Sequence, residues 1–299
     1  MEKTFGIFGG DRRHAELLRL LRRDGYAAFS YGVESIASAD TSETTGADTS
    51  GGAERVPDTS ETLRQAFGAD VLFLPMPPLD LSGRFHVSGL ELSASELLDR
   101  LRPAQRVLSG RVPPELSGAA RQRGVSLTDY MTLEPVAVAN AAVTADAALS
   151  LTVRQIGDTL SGKRCLILGF GRIGKVLCNR LRGLGASVTA AARNPSDRAW
   201  IRALGYDALN TQYLAGRLDA FSVVYNTIPA PVLDAPLLRE LPPDCFLMDL
   251  ASKAGIDFQA ARELGLSAVW ERGLPGRVAP RKAAAILRDA AYQLLKERK

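Results

Sequence analysis

Short apolar runs alternate with segments of helical periodicity over the first half of the chain. The apolar runs predict strands at Thr4–Phe8, Ala27–Tyr31, Val71–Leu74, Arg106–Leu108 and Val125–Leu127. The periodic segments predict helices at Asp11–Arg23, Ser60–Phe67, Ser93–Leu101 and Pro113–Arg123. Strands that alternate with helices in this way form a parallel sheet covered by helices, so we expect an α/β domain here.

The second half of the chain repeats this alternation. Its apolar runs predict strands at Arg164–Leu168, Ser187–Ala191, Ser222–Tyr225, Cys245–Asp249 and Ala268–Trp270. We therefore predict two α/β domains, which form two lobes.

Two longer stretches have helical spacing and no strand between their ends. Pro135–Leu160 is rich in alanine and predicts a helix that bridges the two domains, whereas Ala279–Lys299 has one apolar face and predicts a helix that returns to the first domain. The predicted division is 1–134 for the first domain, 135–160 for the bridging helix, 161–280 for the second domain and 281–299 for the returning helix. Two chain crossings imply a cleft between the lobes.

Residues 37–62 contain mostly Ser, Thr, Asp and Gly, and the tetrapeptide Asp-Thr-Ser-Glu occurs at Asp40–Glu43 and again at Asp58–Glu61. A segment with so few apolar residues cannot bury a core of its own. We expect a surface loop, with a lid over an active site as the alternative.

Composition narrows the class of protein. The 299 residues are 46% hydrophobic and 23% charged, which is ordinary for a globular protein. There is no long uninterrupted apolar run and no basic N-terminal segment followed by an apolar one, so we expect no membrane span and no secretory signal. Three cysteines in apolar runs, Cys165, Cys178 and Cys245, favour buried thiols in the cytoplasm over a disulfide framework or a metal site. The net charge of +4 is too low to indicate nucleic acid but suits an anionic ligand.

The strongest chemical signal is the apolar strand Arg164–Leu168 followed by Gly169-Phe-Gly171-Arg172-Ile173-Gly174 and an amphipathic helix. A strand, a G-x-G-x-x-G turn and a helix form the phosphate-binding site of dinucleotide-binding domains. Gly169 permits the tight turn, Gly171 lets the backbone approach the pyrophosphate, and Gly174 lets helix and strand pack closely. The helix N-terminus then offers free N–H groups to the anion.

The next strand ends without the acidic residue that binds the ribose 2′-hydroxyl of NAD. It is followed by Arg193, Asn194 and Pro195. An arginine here can pair with the 2′-phosphate of NADP, which predicts NADP as the cofactor; the alternative is a solvated surface charge. Asn194 is also suited to cap a helix that begins at Pro195.

Two later strands end in Tyr225-Asn226-Thr227-Ile228-Pro229 and Asp249-Leu-Ala-Ser252-Lys253. Ligands in such sheets lie at the carboxyl ends of the strands, so we expect Thr227, Ile228, Pro229 and Ser252 to contact the cofactor. The alternative is ordinary turn chemistry.

Five segments of the chain occur together in a fixed order. They are Gly9-Gly-Asp11-x-Arg13, Gly169-Phe-Gly-Arg-Ile-Gly174, Asn226-Thr-Ile-Pro229, Asp249-Leu-Ala-Ser252 and Gly273-Leu-Pro-Gly276-x-Val-Ala-Pro280. In these segments the chain resembles the A subunits of dipicolinate synthase, a sporulation enzyme. The resemblance covers nearly the whole chain, and its last segment is far more specific than the phosphate loop.

The resemblance implies oxidation of dihydrodipicolinate to dipicolinate with NADP⁺ in the cytoplasm. It also implies, as partner, the separate, flavoprotein-like dipicolinate synthase B subunit. We further expect a homo-oligomer. The implied fold is that of 2-hydroxyacid and alanine dehydrogenases, with a flavodoxin-like N-terminal domain and a Rossmann domain linked by long crossing helices. The chain departs from the family at several positions. In the family pattern Asn-x-x-x-Thr-x-Glu-Gly it keeps Asn140 and Thr144 but has Asp146 and Ala147 in place of Glu and Gly. It also has Lys253 in place of an arginine and Arg281 in place of a lysine.

This reaction needs a hydride acceptor, a base and cations for two carboxylates. For substrate binding we expect Arg13, Ser109, Gly110, Asn140 and Arg281, with Lys282 as a further cation. For catalysis we expect Asp146, Thr144 and Lys253, with Asp146 as a base whose pKa burial would raise. A structural hydrogen bond is the equal alternative for Asp146. His14 is expected in packing or solvent and His86 in a surface loop.

Two other functions stay open. A 2-hydroxyacid dehydrogenase normally needs a histidine on the cofactor lobe, and no histidine follows His86. A non-catalytic NADP-binding regulatory or scaffold subunit is the second alternative, because a fold and a cofactor site do not establish chemistry.

Overall fold

The computed structural model describes residues 3–33, 58–103 and 105–296 of the chain. Backbone contacts divide the chain into two compact units, the first with residues 1–137 and 275–299 and the second with residues 138–274. The predicted polar loop at residues 37–62 lies outside the described residues except for its last five. Of these, Thr59 caps a helix through its side chain.

The first unit contains a parallel sheet of five strands and a separate hairpin. Its strands are β1 (Phe5–Phe8), β2 (Ala28–Tyr31), β3 (Val71–Phe73), β4 (Arg84–Val87), β5 (Leu90–Ser93), β6 (Arg106–Ser109) and β7 (Ser126–Asp129). The order in the sheet is β2-β1-β3-β6-β7, which is the flavodoxin-like order. The predicted fold of this unit is therefore confirmed.

Helices follow these strands as the periodicity predicts. They are α1 (Arg12–Arg23), α2 (Ser60–Gly68), α3 (Ala94–Asp99) and α4 (Pro114–Gln122), then a 3-10 turn at Tyr130–Thr132 and α5 (Glu134–Ile156). Asp11 caps the N-terminus of α1 by accepting a hydrogen bond from the backbone of Arg13. Helix α1 and the 3-10 turn start just past the carboxyl ends of β1 and β7, which places them at the ligand-binding edge of the sheet.

The hairpin of β4 and β5 corrects the prediction that His86 lies in a loop. Phe85 and Val87 are buried, whereas His86 between them is exposed and pairs across the ladder with Glu91. The two-residue turn has positive φ at both Ser88 and Gly89. Alternating polarity around a Ser-Gly pair is the sequence signal that predicts such a hairpin.

The second unit has a parallel sheet of six strands. They are β8 (Arg164–Leu168), β9 (Ser187–Ala191), β10 (Asp207–Leu209), β11 (Val223–Asn226), β12 (Phe246–Asp249) and β13 (Ser267–Trp270), with helices α6 (Arg172–Gly183), α7 (Pro195–Ala203), α8 (Ala235–Leu238) and α9 (Phe258–Glu263). The order β10-β9-β8-β11-β12-β13 is that of a Rossmann domain. The edge strand β10, which has three residues, was not predicted from the sequence.

Two helices complete the chain, α10 (Leu274–Val278) and α11 (Pro280–Lys296). α11 packs against α1 within the first unit. Leu287 on α11 is buried, and Arg288 and Tyr292 both contact the Asp24 carboxylate at the end of α1, at 3.2 and 3.1 Å. The first unit is thus built from both ends of the chain.

Helix α5, predicted as the bridge over residues 135–160, lies with the second unit from residue 138 onward. Among the described residues it is also the one helix long and apolar enough to span a membrane, with a mean hydropathy of 1.5 in its most apolar window. Because 56% of that window is buried inside the protein, as in core helices of soluble proteins, this is weak evidence for a span.

The burial of Leu287 leads to a prediction. Leu287→Ala should lower the free energy of unfolding by about 2–5 kcal/mol, because it removes buried methyl groups and leaves a cavity between α11 and α1. Leu204→Ala is the matched control, since Leu204 is 44% exposed. Urea denaturation followed by circular dichroism measures both. Equal midpoints for the two variants would contradict this packing of α11.

Candidate functional site

The turn between β8 and α6 has the geometry of a phosphate loop. Gly169 follows β8 with φ of +98°, and a Cβ at this position would lie 2.4 Å from the Thr227 hydroxyl. A Cβ at Gly174 would lie 2.1 Å from the carbonyl oxygen of Gly169, so helix and strand touch there. The roles predicted for these two glycines, a tight turn and close packing, agree with these distances.

Gly171 differs from both because nothing lies within 4 Å of the place where its Cβ would be. It is the N-cap residue of α6, and no side chain caps the helix there. The exposed Arg172 and half-buried Ile173 form the first turn. Open space in front of uncapped backbone N–H groups is what a pyrophosphate requires, so the residues present fit a dinucleotide.

The end of β9 carries the residues predicted to read the ribose. Asn194 caps α7 by accepting a hydrogen bond from the Ser196 backbone at 2.9 Å, and Pro195 is the first helical residue, which confirms the predicted cap. Arg193 is exposed, and its guanidinium makes no hydrogen bond or ion pair with the described residues. Arg198, which was not singled out from the sequence, donates from Nη1 to the Ala192 carbonyl at 3.1 Å. The cation available at this strand end is Arg193.

A buried carboxylate organises the next two strand ends. Asp249 at the end of β12 is fully buried and accepts hydrogen bonds from the Asn226 side chain and from the backbone of Ala251, Gly255 and Ile256, at 2.7–3.2 Å. The Asn226 side chain in turn holds both backbone groups of Ile228, at 3.0 Å each. Asn226 and Asp249 are therefore structural groups that shape the two loops.

The predicted cofactor and catalytic residues on these loops have different surroundings. Thr227 is half-buried and its hydroxyl donates to the Leu168 carbonyl at 2.9 Å, beside Gly169. Ile228 is half-buried, whereas Pro229, Ser252 and Lys253 are exposed. All five follow the carboxyl ends of β11 or β12, the edge of the sheet at which the phosphate loop also lies.

Helix α5 decides between the two equal expectations for Asp146. Asp146 is exposed, so the burial expected of a base is wrong. Its carboxylate accepts a hydrogen bond from Arg180 on α6 at 3.0 Å, which confirms the alternative of a structural hydrogen bond. The neighbouring positions on the other faces of α5, including Thr144, are the buried ones. The Thr144 hydroxyl donates to the Asn140 carbonyl at 2.8 Å, one helical turn back. Neither side chain has the surroundings that we expected of a base or of a free donor.

In the first unit, Arg13 is buried and bound to Asp11. Its Nε and Nη2 donate to the Asp11 carboxylate at 2.8 Å in a two-pronged pair. Partial burial acts to raise the pKa of Asp11, but His14 and Arg13 beside it more than offset this and hold the pKa well below its usual range. Asp11 is therefore ionised and neutralises Arg13.

Three other predicted substrate residues belong to the same unit. The buried Ser109 hydroxyl donates to the Pro75 carbonyl at 2.6 Å, and a Cβ at Gly110 would lie 2.8 Å from the Tyr130 ring. Arg281 begins α11, where it is 83% exposed and 3.4 Å from the Glu16 carboxylate. Ser109 and Gly110 thus contact the segments that follow the neighbouring strands, and Arg281 forms an ion pair with Glu16 of α1.

Two of the sequence segments that carried the resemblance meet in the first unit. A Cβ at Gly276 on α10 would lie 2.0 Å from the Asp11 carboxylate, so a side chain there would displace this carboxylate from its contact with Arg13. This contact between the two segments was not predicted from the sequence.

The three cysteines are buried and unbonded. Burial raises the pKa of each thiol, in Cys165, Cys178 and Cys245, to about 12. They are inert as nucleophiles at neutral pH. Within the described part of the chain no group of three His, Cys, Asp or Glu side chains could hold a metal ion.

The fold and the phosphate loop, together with the match to a dehydrogenase domain, place the chain in the class of two-domain dehydrogenases, which are oxidoreductases with a nicotinamide dinucleotide cofactor. Residues 136–261 match the NAD binding domain of D-isomer specific 2-hydroxyacid dehydrogenases, and residues 4–131 match the N-terminal domain of the dipicolinate synthase A subunit. The chain is 30% identical over 201 residues to the dipicolinate synthase A subunit of Bacillus subtilis, covering 67% of this chain and 68% of that protein. It belongs to the family of dipicolinate synthase A subunits.

Solved structures agree with this assignment. The dipicolinate synthase A subunit from Bacillus halodurans superposes with a TM-score of 0.78 at 27% identity, over 98% of this chain and 97% of that one. D-lactate dehydrogenase from Escherichia coli superposes with a TM-score of 0.61 at 14% identity, over 97% and 95% of the two chains. The second likeness shows the fold alone.

The glycines of the phosphate loop lead to a prediction. Gly171→Ala should fold normally, because its Cβ meets no atom of the protein, yet it should bind the dinucleotide about tenfold more weakly or worse, a loss of ~1.4 kcal/mol. The reason is that the methyl group occupies the space of the pyrophosphate. Gly183→Ala, at the other end of the same helix and equally open, is the control. Fluorescence titration with NADPH measures the affinities.

Gly174→Ala tests the packing in the same loop. It should lower Tm, because its Cβ would overlap the Gly169 carbonyl oxygen.

If Gly171→Ala bound NADPH as tightly as the wild type, the assignment of this loop would be wrong.

Proposed function

We propose that this protein oxidises dihydrodipicolinate to dipicolinate with NADP⁺, as the A subunit of a heteromeric dipicolinate synthase. The observation that carries the proposal is the uncapped N-terminus of α6 behind Gly171, in a chain of this family. We propose further that it acts in the cytoplasm during sporulation, as a homo-oligomer and together with a separate B subunit.

The reaction removes a hydride and a proton from a dihydropyridine ring and leaves an aromatic pyridine dicarboxylate. NADP⁺, when bound, accepts the hydride. The proton goes to a base or to water, and aromatisation of the ring supplies driving force for its departure. Asp146 is exposed and paired with Arg180, so it does not have the surroundings of a buried base. We therefore assign the base to no carboxylate of α5.

The chain must then bind and orient a dianion. Among the predicted substrate residues, Arg13 is the best supported, because it is buried and fixed by Asp11. Lys253 is exposed at a cofactor-side strand end and is proposed to attract a carboxylate. The remaining predicted residues are proposed to shape the site, since most of their polar groups are engaged by the protein; they are Ser109, Gly110, Asn140, Thr144 and Arg281.

Arg193 supports NADP over NAD. Its guanidinium has no competing partner among the described residues, and it follows β9 where the ribose of a bound dinucleotide lies in Rossmann domains. The strand end has no carboxylate to bind the 2′-hydroxyl of NAD. A cation at this position favours the cofactor with the additional phosphate.

We predict that Arg193→Ala removes most of the preference for NADP. A charge-assisted hydrogen bond contributes about 1.5–3 kcal/mol, so the wild type should prefer NADP about ten- to hundredfold. NAD affinity should change little, and Arg193→Asp should shift the preference toward NAD by repelling the phosphate. Titration with each cofactor, at low and high salt, measures this.

Arg217→Ala is the control, because Arg217 is an exposed arginine of the same unit outside the phosphate loop and the end of β9. The preference should narrow as salt rises, since the contact is at the surface. Equal affinities of the wild type for NADP and NAD would refute the assignment of Arg193.

Turnover is the direct test of the proposed reaction. Wild-type protein with dihydrodipicolinate and NADP⁺ should form NADPH, followed by its absorbance, with or without the B subunit. At NADP⁺ concentrations near the wild-type Kd, Gly171→Ala should lower the signal severalfold, whereas Gly183→Ala should retain it. No turnover under either condition, with NADP still bound, would favour a non-catalytic scaffold subunit. Oxidation of simple 2-hydroxy acids instead would favour the dehydrogenase alternative.

A further inference from the structure

Three side chains of the first unit have buried polar atoms without a hydrogen-bond partner among the described residues. One is Arg84 Nε, which lies in an ion pair with Glu91. The other two are His14, with both ring nitrogens, and Tyr130, with its hydroxyl. His14 and Tyr130 are each 1% exposed. A buried donor without a partner costs free energy of folding, so such groups in a folded protein require an explanation.

Both side chains lie at the carboxyl-end edge of the sheet in the first unit, where His14 is in the first turn of α1 and Tyr130 directly follows β7. His14 Nδ1 lies 3.9 Å from Asp11 Oδ1, which is too long for a hydrogen bond. Burial raises the pKa of Tyr130 far above its usual value, so the hydroxyl keeps its proton and stays a donor. The charge of Arg13 acts to lower the pKa of Tyr130, and that of Asp11 acts to raise it.

The position of Tyr130 is fixed by its neighbours in the chain. Asp129 ends β7, and its carboxylate accepts hydrogen bonds from the backbone of Met131 at 2.8 Å and of Val112 at 2.9 Å. The Tyr130 ring then lies over Gly110 at the end of β6, where a Cβ would be 2.8 Å from it. The ring is therefore held rigidly while its hydroxyl has no acceptor among the described residues.

Arg13 contributes a third donor. Its Nε and Nη2 are bound to Asp11, whereas Nη1 makes no hydrogen bond with any described residue. Asp11 already neutralises the guanidinium charge, and it also fixes the plane of the group. The Nε and Nη2 groups of Arg13 are thus bound within the protein, whereas its Nη1 group is available to donate to a ligand.

We propose that His14, Tyr130 and Nη1 of Arg13 form a carboxylate-binding subsite of the first unit. A carboxylate has two oxygens and accepts several hydrogen bonds, so it supplies the acceptors that these donors lack. The identity of the ligand rests on the proposed function, from which we take a pyridine dicarboxylate. His14 and Tyr130 are binding residues to which the sequence patterns assigned no function.

Tyr130→Phe is the sharpest test, because it removes one oxygen atom and keeps the ring. In the free protein it should leave Tm unchanged or raise it, since the hydroxyl has no partner there. Binding of dipicolinate, by calorimetry with NADP⁺ present, should weaken about tenfold or more. NADP⁺ affinity should not change. Tyr213→Phe, at an exposed tyrosine, is the control.

His14→Gln should weaken dipicolinate binding in the same way, with His86→Gln as control. Because the chain has only these two histidines, ¹⁵N-histidine spectra show two imidazoles, and His86→Gln assigns them. The His14 signals should shift on addition of dipicolinate in the wild type. This measurement decides the matter if His14→Gln does not fold.

Picolinate and pyruvate serve as second probes and separate this inference from the proposed function. If dipicolinate does not bind the wild type but another carboxylate does, and its binding needs Tyr130, the subsite stands and the proposed substrate is wrong. If dipicolinate binds the wild type and Tyr130→Phe equally, with unshifted His14 signals, the subsite is refuted and the substrate stands. A fall in Tm of Tyr130→Phe, or no binding of any carboxylate, also refutes the subsite.

Discussion

A carboxylate that is removed from water at the end of a strand must receive hydrogen bonds from the chain around it, and this requirement shapes the second unit. Asp249 is fully buried and is satisfied by the Asn226 amide and three backbone N–H groups. Those donors come from the loops after β11 and β12. The loops therefore cannot move independently, and Thr227 is held against Gly169 of the phosphate loop. Removal of this single carboxylate would leave several buried donors without partners.

The first unit has two carboxylates in related positions, both only partly buried. Asp11 caps α1, binds Arg13 and leaves no space for a side chain at position 276. Asp129 fixes the turn that carries Tyr130. In each case a carboxylate at the ligand-binding edge of the sheet is satisfied by protein donors, so it is rigid before any ligand arrives. Rigid, pre-oriented donors bind an anion with less loss of entropy than flexible ones.

Most predictions that rest on local effects agreed with the structure, whereas those that depend on distant parts of the chain did not all do so. The strands, helices and glycine roles of the phosphate loop followed from periodicity and from backbone requirements that act within a few residues. The Asn194 cap did so as well. The hairpin around His86 was predicted as a loop although its alternation and turn are present in the sequence, because strands of four residues give too short a pattern to distinguish a hairpin from a loop. For Asp146 the sequence left a buried base and a structural hydrogen bond equally open, because the face of α5 that becomes buried depends on the elements that pack against it.

Local patterns along the chain were sufficient to specify two α/β units, the place of the phosphate loop, the lack of an acidic residue directly after β9, and the resemblance that led to the family. These depend on apolar period, glycine positions and motif order. Which polar side chains are available to a ligand depends instead on the folded molecule. Several of the candidate polar groups make hydrogen bonds within the protein; they are Asn226, Asp249, Ser109 and Thr144. His14 and Tyr130, in contrast, are buried without hydrogen-bond partners among the described residues. The reason is that the Asn226–Asp249 and Ser109–Pro75 hydrogen bonds join residues 23 and 34 positions apart, and no local pattern records which donors the fold has already satisfied.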